Sequence, residues 1–509
     1  MNSKLLSVAI VVVLAGAGAY YYFNQAGAPQ GEPSDAPRSG EVQSSVEPAV
    51  DHSAVPEAVE SSSKEVVAVE EKVPDLSSCD VLFDPDTYVG KYEDYEQLLP
   101  GKDGWIFRTK QDLRQDFKFT DEDAALYRAF SDALRSRGTR LVLAVIPPRG
   151  ILAGAKLPED SDLAKGYDQA AAKASFREMV LKLNAAGVLA ADVSDSKAGP
   201  AFFNHADQHW TTKGAQEMAQ AVAALVKQPG VWSDKVPNEV FETRTGAEET
   251  YDGRFGEPIK DLCDMKPLPE KDVTVTTFST GGSDGENALF GDKAAPEVVL
   301  VGTSNSKRDE FNSNFAGYLQ EYLSADVLNA AISGGGMDDS MVAYLDSDAF
   351  KAHAPAYVIW EIPGYYNLGG EGMENTLRQA IPSVYGFCQE PVMQFPSQKI
   401  LAGEKRVYMM QGVGDQKLEI GKVYLTVDFD KPVKKDFSVS FKTSDKESSL
   451  FKFKRRREQN GDTFYYLPVP GKLVQKGLYL KDVALNVSDY LEGLTVTARL
   501  CPIPEAVAE

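Results

Sequence analysis

Between residues 76 and 390 the chain alternates short, continuous apolar runs with segments of helical periodicity, and this limits its fold more than any other feature. Residues 141–146 read Leu-Val-Leu-Ala-Val-Ile and residues 298–301 read Val-Val-Leu-Val, with no polar position on either side of the strand. A strand without a polar face must be covered on both sides, the condition of a parallel sheet enclosed by helices. Residues 188–193 and 358–362 read as two further strands, each apolar but for one acidic residue, Asp192 and Glu361. Helical cover is predicted at 120–137, where Ala124, Leu126, Phe130 and Leu134 fall near helical spacing behind a Thr120 or Asp121 cap. Further helices are predicted at 168–186, 211–226 and 311–323. The predicted class is α/β with a parallel sheet. From residue 391 the pattern changes. Segments 423–429, 437–441, 450–454, 464–467, 483–487 and 494–500 read as strands separated by turn residues such as Gly461-Asp462. Residues 391–509 therefore predict an all-β sandwich.

The first 75 residues have a different character. Residues 5–23 carry no charge and follow Lys4. About 20 apolar residues span a bilayer as a helix, and this run nearly reaches that length. Lys4 on the short leading side predicts a cytoplasmic N-terminus, with Tyr20, Tyr21, Tyr22 and Phe23 as an aromatic belt at the far interface. Ala15, Ala17 and Ala19 suit a signal peptide instead. The aromatic cluster favours an uncleaved anchor, and either reading exports the chain. Residues 24–75, rich in Ser, Pro, Glu, Ala and Val, lack the apolar surface needed to fold. As a flexible linker they would span roughly 40 Å end to end.

The net charge of −22 does not invite nucleic acid. It is also uneven: residues 391–509 hold 19 Lys and Arg against 15 Asp and Glu, a net of +4, which leaves −26 on the rest. Four cysteines, Cys79, Cys263, Cys388 and Cys501, suggest disulfides in an exported chain. Of three possible pairings, Cys79–Cys263 with Cys388–Cys501 closes each module separately. Their spacings fit no zinc site, and no metal or organic cofactor is predicted.

Four histidines exist, of which His52 lies in the linker and His353 among alanines. A histidine base is then His209 or His205. Asp207 stands two residues before His209, and in a loop it can turn back to hold the imidazole's second nitrogen, as a serine-activating base requires. The alternative is a helix-start histidine with Asp207 as a local cap. The run Val301-Gly302-Thr303-Ser304-Asn305-Ser306 leads from a buried strand into a polar turn, where ligands bind in open α/β sheets. Ser304 there is a candidate nucleophile, with Ser306 as competitor and a helix cap as the plain alternative. Ser333-Gly334-Gly335-Gly336 follows another apolar stretch, and the Gly335 N–H is a candidate oxyanion donor. Glu361, Tyr366 and Asn367, at a further strand end, are candidates for lining the same cleft.

Together these motifs resemble the SGNH-hydrolase superfamily, with departures: Gly302-Thr303-Ser304 stands where Gly-Asp-Ser is usual, Asp207-x-His209 where Asp-x-x-His is usual, and the histidine precedes the serine. In this the chain is similar to the periplasmic alginate O-acetyltransferase branch, over about residues 76–501. The resemblance implies a circularly permuted SGNH-like domain joined to a C-terminal carbohydrate-binding sandwich, two disulfides that each close one domain, and Ser304, His209 and Asp207 as a triad. It implies acetyl transfer to hydroxyls of mannuronate in alginate, in the periplasm, with a membrane-bound O-acyltransferase as acetyl source and the alginate secretion complex as partner.

The tail supports an anionic polymer separately. Residues 431–457 hold ten Lys and Arg against three Asp and Glu, and Lys452, Lys454 and Arg456 alternate onto one strand face. Such a face suits polymannuronate, or else is a solvated edge guarded by lysines. Two other functions fit the same residues: a polysaccharide acetylesterase, with water as acceptor, and a non-catalytic polymer-binding scaffold.

Overall fold

The computed structural model describes residues 73–280, 294–308, 311–411, 418–455, 463–469, 473 and 478–504. The apolar segment 5–23, nearly all of the linker and Arg456 lie outside the described residues. Among the described residues no helix is long and apolar enough to cross a membrane.

Five parallel strands form the predicted sheet, in the spatial order Leu189–Ala191, Arg140–Ile146, Tyr357–Pro363, Val298–Val301, Val327–Asn329. Every residue of Val298–Val301 and Tyr357–Pro363 is buried, Glu361 of the latter included, as strands covered on both faces require. Helix Asp121–Ser136 starts at a capping box in which Thr120 and Asp123 satisfy each other's backbone N–H groups. It packs with Glu371–Tyr385, while Thr212–Val226 packs with Phe315–Leu323. Sequence periodicity placed the start of this last helix at residue 311. It begins four residues later because Asn314 adopts a left-handed conformation and the residues before it serve other contacts: Phe311 stacks on Tyr251, and the Ser313 hydroxyl bonds Trp210.

A long antiparallel hairpin, Phe241–Tyr251 with Glu270–Ser279, was not foreseen. Its Thr- and Glu-rich first strand is mostly exposed and has no apolar face to betray it.

The C-terminal region forms two antiparallel sheets over a separate apolar core. One pairs Val423–Phe429 with Phe464–Pro468 and Thr495–Pro502; the other pairs Leu480–Asn486 with Arg406–Met410 and Phe437–Thr443, and ends on Ser448–Phe453. The sandwich docks through helix Glu371–Tyr385, where Tyr424 donates to the Gly386 carbonyl at 2.9 Å and stacks near Tyr385. Cys79 pairs with Cys263 and Cys388 with Cys501.

Candidate active site

Two loops meet at the carboxyl end of the sheet. The first, residues 204–210, is held from both sides by buried charges. Arg149, which opens the short helix Arg149–Ala153 two prolines after the strand Arg140–Ile146, donates to the carbonyls of Asn204 at 2.7 Å and His205 at 2.8 Å. Its charge is met by Asp112 at 2.9 Å. Glu270, on the hairpin, accepts the backbone N–H groups of His205 and Ala206 and pairs with the His205 ring. Sequence reasoning missed both residues. Arg149 carried a usable signal, since it stands at a strand's carboxyl end where such sheets build sites. Glu270 carried none, because its partners are about sixty residues away.

The second loop carries the nucleophile candidate. Gly302 lies so close to Glu361 that an added Cβ would sit 2.6 Å from the carboxylate oxygen Oε2, so only glycine fits. Glu361 accepts the Thr303 N–H at 2.7 Å, the Thr303 hydroxyl and the Ser306 hydroxyl at 3.0 Å. That contact buries Ser306 beneath the loop and leaves Ser304 as the serine facing His209. The loops are stitched together by Trp210, whose indole N–H donates to the Asn305 carbonyl at 2.9 Å and whose backbone N–H donates to Asn305 Oδ1.

At the junction His209 Nε2 lies 2.7 Å from Ser304 Oγ, and His209 Nδ1 lies 2.6 Å from Asp207 Oδ1. Asp207 also accepts the His209 N–H, the Arg254 N–H and an Arg308 guanidinium N–H at 2.9 Å. Burial opposes ionisation of Asp207, but His209 and Arg308 outweigh it and hold the carboxyl well below the usual carboxylate range. An ionised Asp207 keeps the proton on Nδ1, so Nε2 is free to accept from Ser304. Glu361, equally buried, has no cation beside it among the described residues. Burial pushes it up to about 7, and the hydrogen bonds from Thr303 and Ser306 offset that only in part.

Ser304 and His209 open into a cavity of about 580 Å3, whose lining includes Tyr95, Arg108, Arg254, Tyr365 and Tyr366. Of the residues expected here, Tyr366 is present. Gly335 is not: its N–H donates to the Ile332 carbonyl at 3.3 Å, and its Cα side packs on Asp339. Ser333, Gly334 and Gly336 line the cavity instead. Asn367 turns away to bond Arg114, and Glu361 lies beneath the loop rather than in the cavity.

Lys452 and Lys454 are exposed beside buried Phe451 and Phe453, as alternation required. Their surroundings were not legible: a cleft of about 930 Å3 places them across from Asp338, Glu371 and Glu374, with Asp436 on their own module. The basic face is therefore not a purely cationic surface. Among the described residues no group of acidic, histidine and cysteine side chains could hold a metal ion.

Residues 98–364 match the model of a family described as SGNH hydrolase-like domain, acetyltransferase AlgX. The chain belongs to this family. It is 32% identical to alginate biosynthesis protein AlgX of Pseudomonas syringae pv. tomato over 364 residues, 70% of this chain and 74% of the relative. Identity to the Pseudomonas aeruginosa AlgX is 35% over 298 residues, 58% of this chain and 60% of that protein, under two thirds of its length. A probable alginate O-acetylase AlgJ of Pseudomonas aeruginosa is 33% identical over 53% of this chain and 70% of its own. The solved structure of Pseudomonas aeruginosa AlgX matches with a TM-score of 0.69 at 26% identity, over 83% of this chain and 99% of that one. The AlgX-family region includes Asp207, His209 and Ser304, and the solved AlgX structure extends the likeness beyond it.

Proposed function

We propose that this protein is an O-acetyltransferase that acetylates hydroxyls of mannuronate residues in alginate through an acetyl-Ser304 intermediate. The carrying observation is the relay Asp207–His209–Ser304, closed at 2.6 and 2.7 Å inside a cavity large enough for sugar. His209 takes the proton of Ser304 as Oγ attacks the carbonyl of an acetyl donor. Collapse expels the donor's leaving group, which receives that proton from His209. A sugar hydroxyl then attacks the ester, His209 takes its proton, and the proton returns to Ser304 as the acetylated sugar leaves. We assign oxyanion stabilisation to main-chain N–H groups of the glycine turn, at Gly334 and Gly336, in place of Gly335.

The family's relatives, named for alginate biosynthesis and for alginate O-acetylation, support the choice of polymer and reaction. The reading includes export to the periplasm by residues 5–23, a membrane-bound O-acyltransferase as the source of acetyl groups, and a place beside the alginate secretion complex. The test is purified protein with a chromogenic acetyl ester and mannuronate oligomers. Acetylated oligomer formed at the expense of hydrolysis supports a transferase. Hydrolysis at the same rate with and without oligomer makes it an esterase.

A further inference from the structure

The cavity around Ser304 holds four basic side chains, Lys91, Arg108, Arg254 and Arg308. Three of them are already committed. Lys91 pairs with Asp261 at 2.6 Å, Arg108 with Asp112 at 3.2 Å, and Arg308 with Asp207 at 2.9 Å. The Arg254 guanidinium makes no ion pair or hydrogen bond with the described residues, and the residue is exposed on the cavity wall.

Its backbone, by contrast, is fixed to the triad at three consecutive positions. Gly253 packs so tightly on the acid–base loop that a Cβ there would lie 2.4 Å from the Ala206 carbonyl. The Arg254 N–H donates to Asp207 Oδ2 at 3.1 Å, and the Phe255 N–H donates to the Ala206 carbonyl at 3.1 Å. A long cationic side chain is thus mounted on an immobile base next to the nucleophile, with its fork of donors facing open space. A second lobe of about 570 Å3 adjoins the first, and Arg254, Glu257 and Arg308 line both. An acceptor longer than one sugar, laid across both lobes, passes Arg254.

A planar guanidinium binds a carboxylate through two parallel hydrogen bonds, which a uronate provides and a neutral sugar does not. Tyr95 and Tyr366 line the same cavity. Asp94 and Glu257 also line the cavity and oppose a polyanion where they stand. Of the Lys and Arg side chains lining the Ser304 lobe, the Arg254 guanidinium is the one left to receive a uronate carboxylate beside the nucleophile.

We propose that Arg254 reads the acceptor: its guanidinium holds the carboxylate of the sugar that takes acetyl from Ser304. This rests on the acetyltransferase reading above and adds a specificity-determining residue to it. The experiment compares two acceptors on the same full-length protein with nitrophenyl acetate as donor. One is a mannuronate oligomer, and the other is the same oligomer with its carboxylates converted to primary amides. The quantity read is the ratio of kcat/KM for the two acceptors, so loss of folded protein lowers both rates and leaves the ratio alone. Wild-type protein is expected to prefer the uronate. Arg254→Met should cut that preference by about ten- to hundredfold, the range for one charge-assisted contact. Arg254→Lys, which keeps the charge and loses the fork, should fall between. An unchanged ratio in Arg254→Met overturns the inference while leaving the acetyltransferase reading intact. Wild-type protein that transfers acetyl to neither oligomer overturns both.

Discussion

The loops around Ser304 and the lysine-bearing edge of the sandwich treat charge in opposite ways. In the first, Asp207, Arg308, Arg149, Asp112 and Glu361 are withdrawn from water, and each is answered by named partners within hydrogen-bond distance. In the second, Lys452 and Lys454 stand in solvent above a buried aromatic row. A buried charge cannot be left unanswered without large cost, so its geometry is fixed and its removal is felt strongly. An exposed charge is screened, and its contribution is spread over many weak contacts. Sensitivity to substitution should therefore be highest around Ser304 and lowest on the lysine-bearing edge.

Ser304→Ala and His209→Ala should each lower acetyl transfer by at least about a thousandfold, and the double substitution should cost little more, because the groups act as a unit. Steady-state rates on mannuronate oligomers check this. Arg308→Met should come next. It removes the arginine partner of buried Asp207, and breaking a buried pair costs about 3–5 kcal/mol. Denaturant unfolding should show the loss. With Arg308 gone the Asp207 carboxyl rises, so the stability it contributes at neutral pH should fade at a higher pH on acidification than in the wild type.

Glu361 predicts the opposite sign. Its folded value of about 7 lies above its ordinary 4.5, so its contribution to stability is fully present below 4.5 and is lost as pH rises through 7. The shift corresponds to about 3 kcal/mol across that window. Glu361→Gln should flatten this slope in urea titrations at stepped pH, and an unaltered slope would mean that Glu361 is not its source. The smallest effect belongs to the exposed edge. Lys452→Glu with Lys454→Glu should weaken polymannuronate binding by no more than about 1 kcal/mol per residue, and less as salt is raised. The acidic residues across the cleft already oppose a polyanion there. Calorimetry that showed no change at low salt would assign these lysines to the domain boundary alone.

The same gradient explains what the sequence disclosed. The five-stranded sheet was legible because fully apolar runs such as residues 298–301 have few ways to be satisfied. Asp207 and His209 were legible because two residues suffice to fold a carboxylate back on an imidazole. Ser304 was legible from the strand-to-turn transition before it, but only the Glu361 contact separates it from Ser306. Glu270 and Arg308 were invisible, since each acts on a loop far away in sequence. Gly335 was chosen from a run of three glycines by type alone, and the turn's own hydrogen bond to Ile332 decides against it. The hairpin Phe241–Tyr251 escaped because its exposed, charged strand carries no periodic apolar signal.

Double displacement requires a covalent acetyl group on Ser304. Protein incubated with nitrophenyl acetate, quenched in acid and digested, should show one added acetyl on the peptide containing Ser304. A chase with mannuronate oligomers before the quench should clear that acetyl from the peptide and deliver it to the sugar. Turnover with an unmodified Ser304 peptide, or an acetyl group found on Ser306, would contradict it.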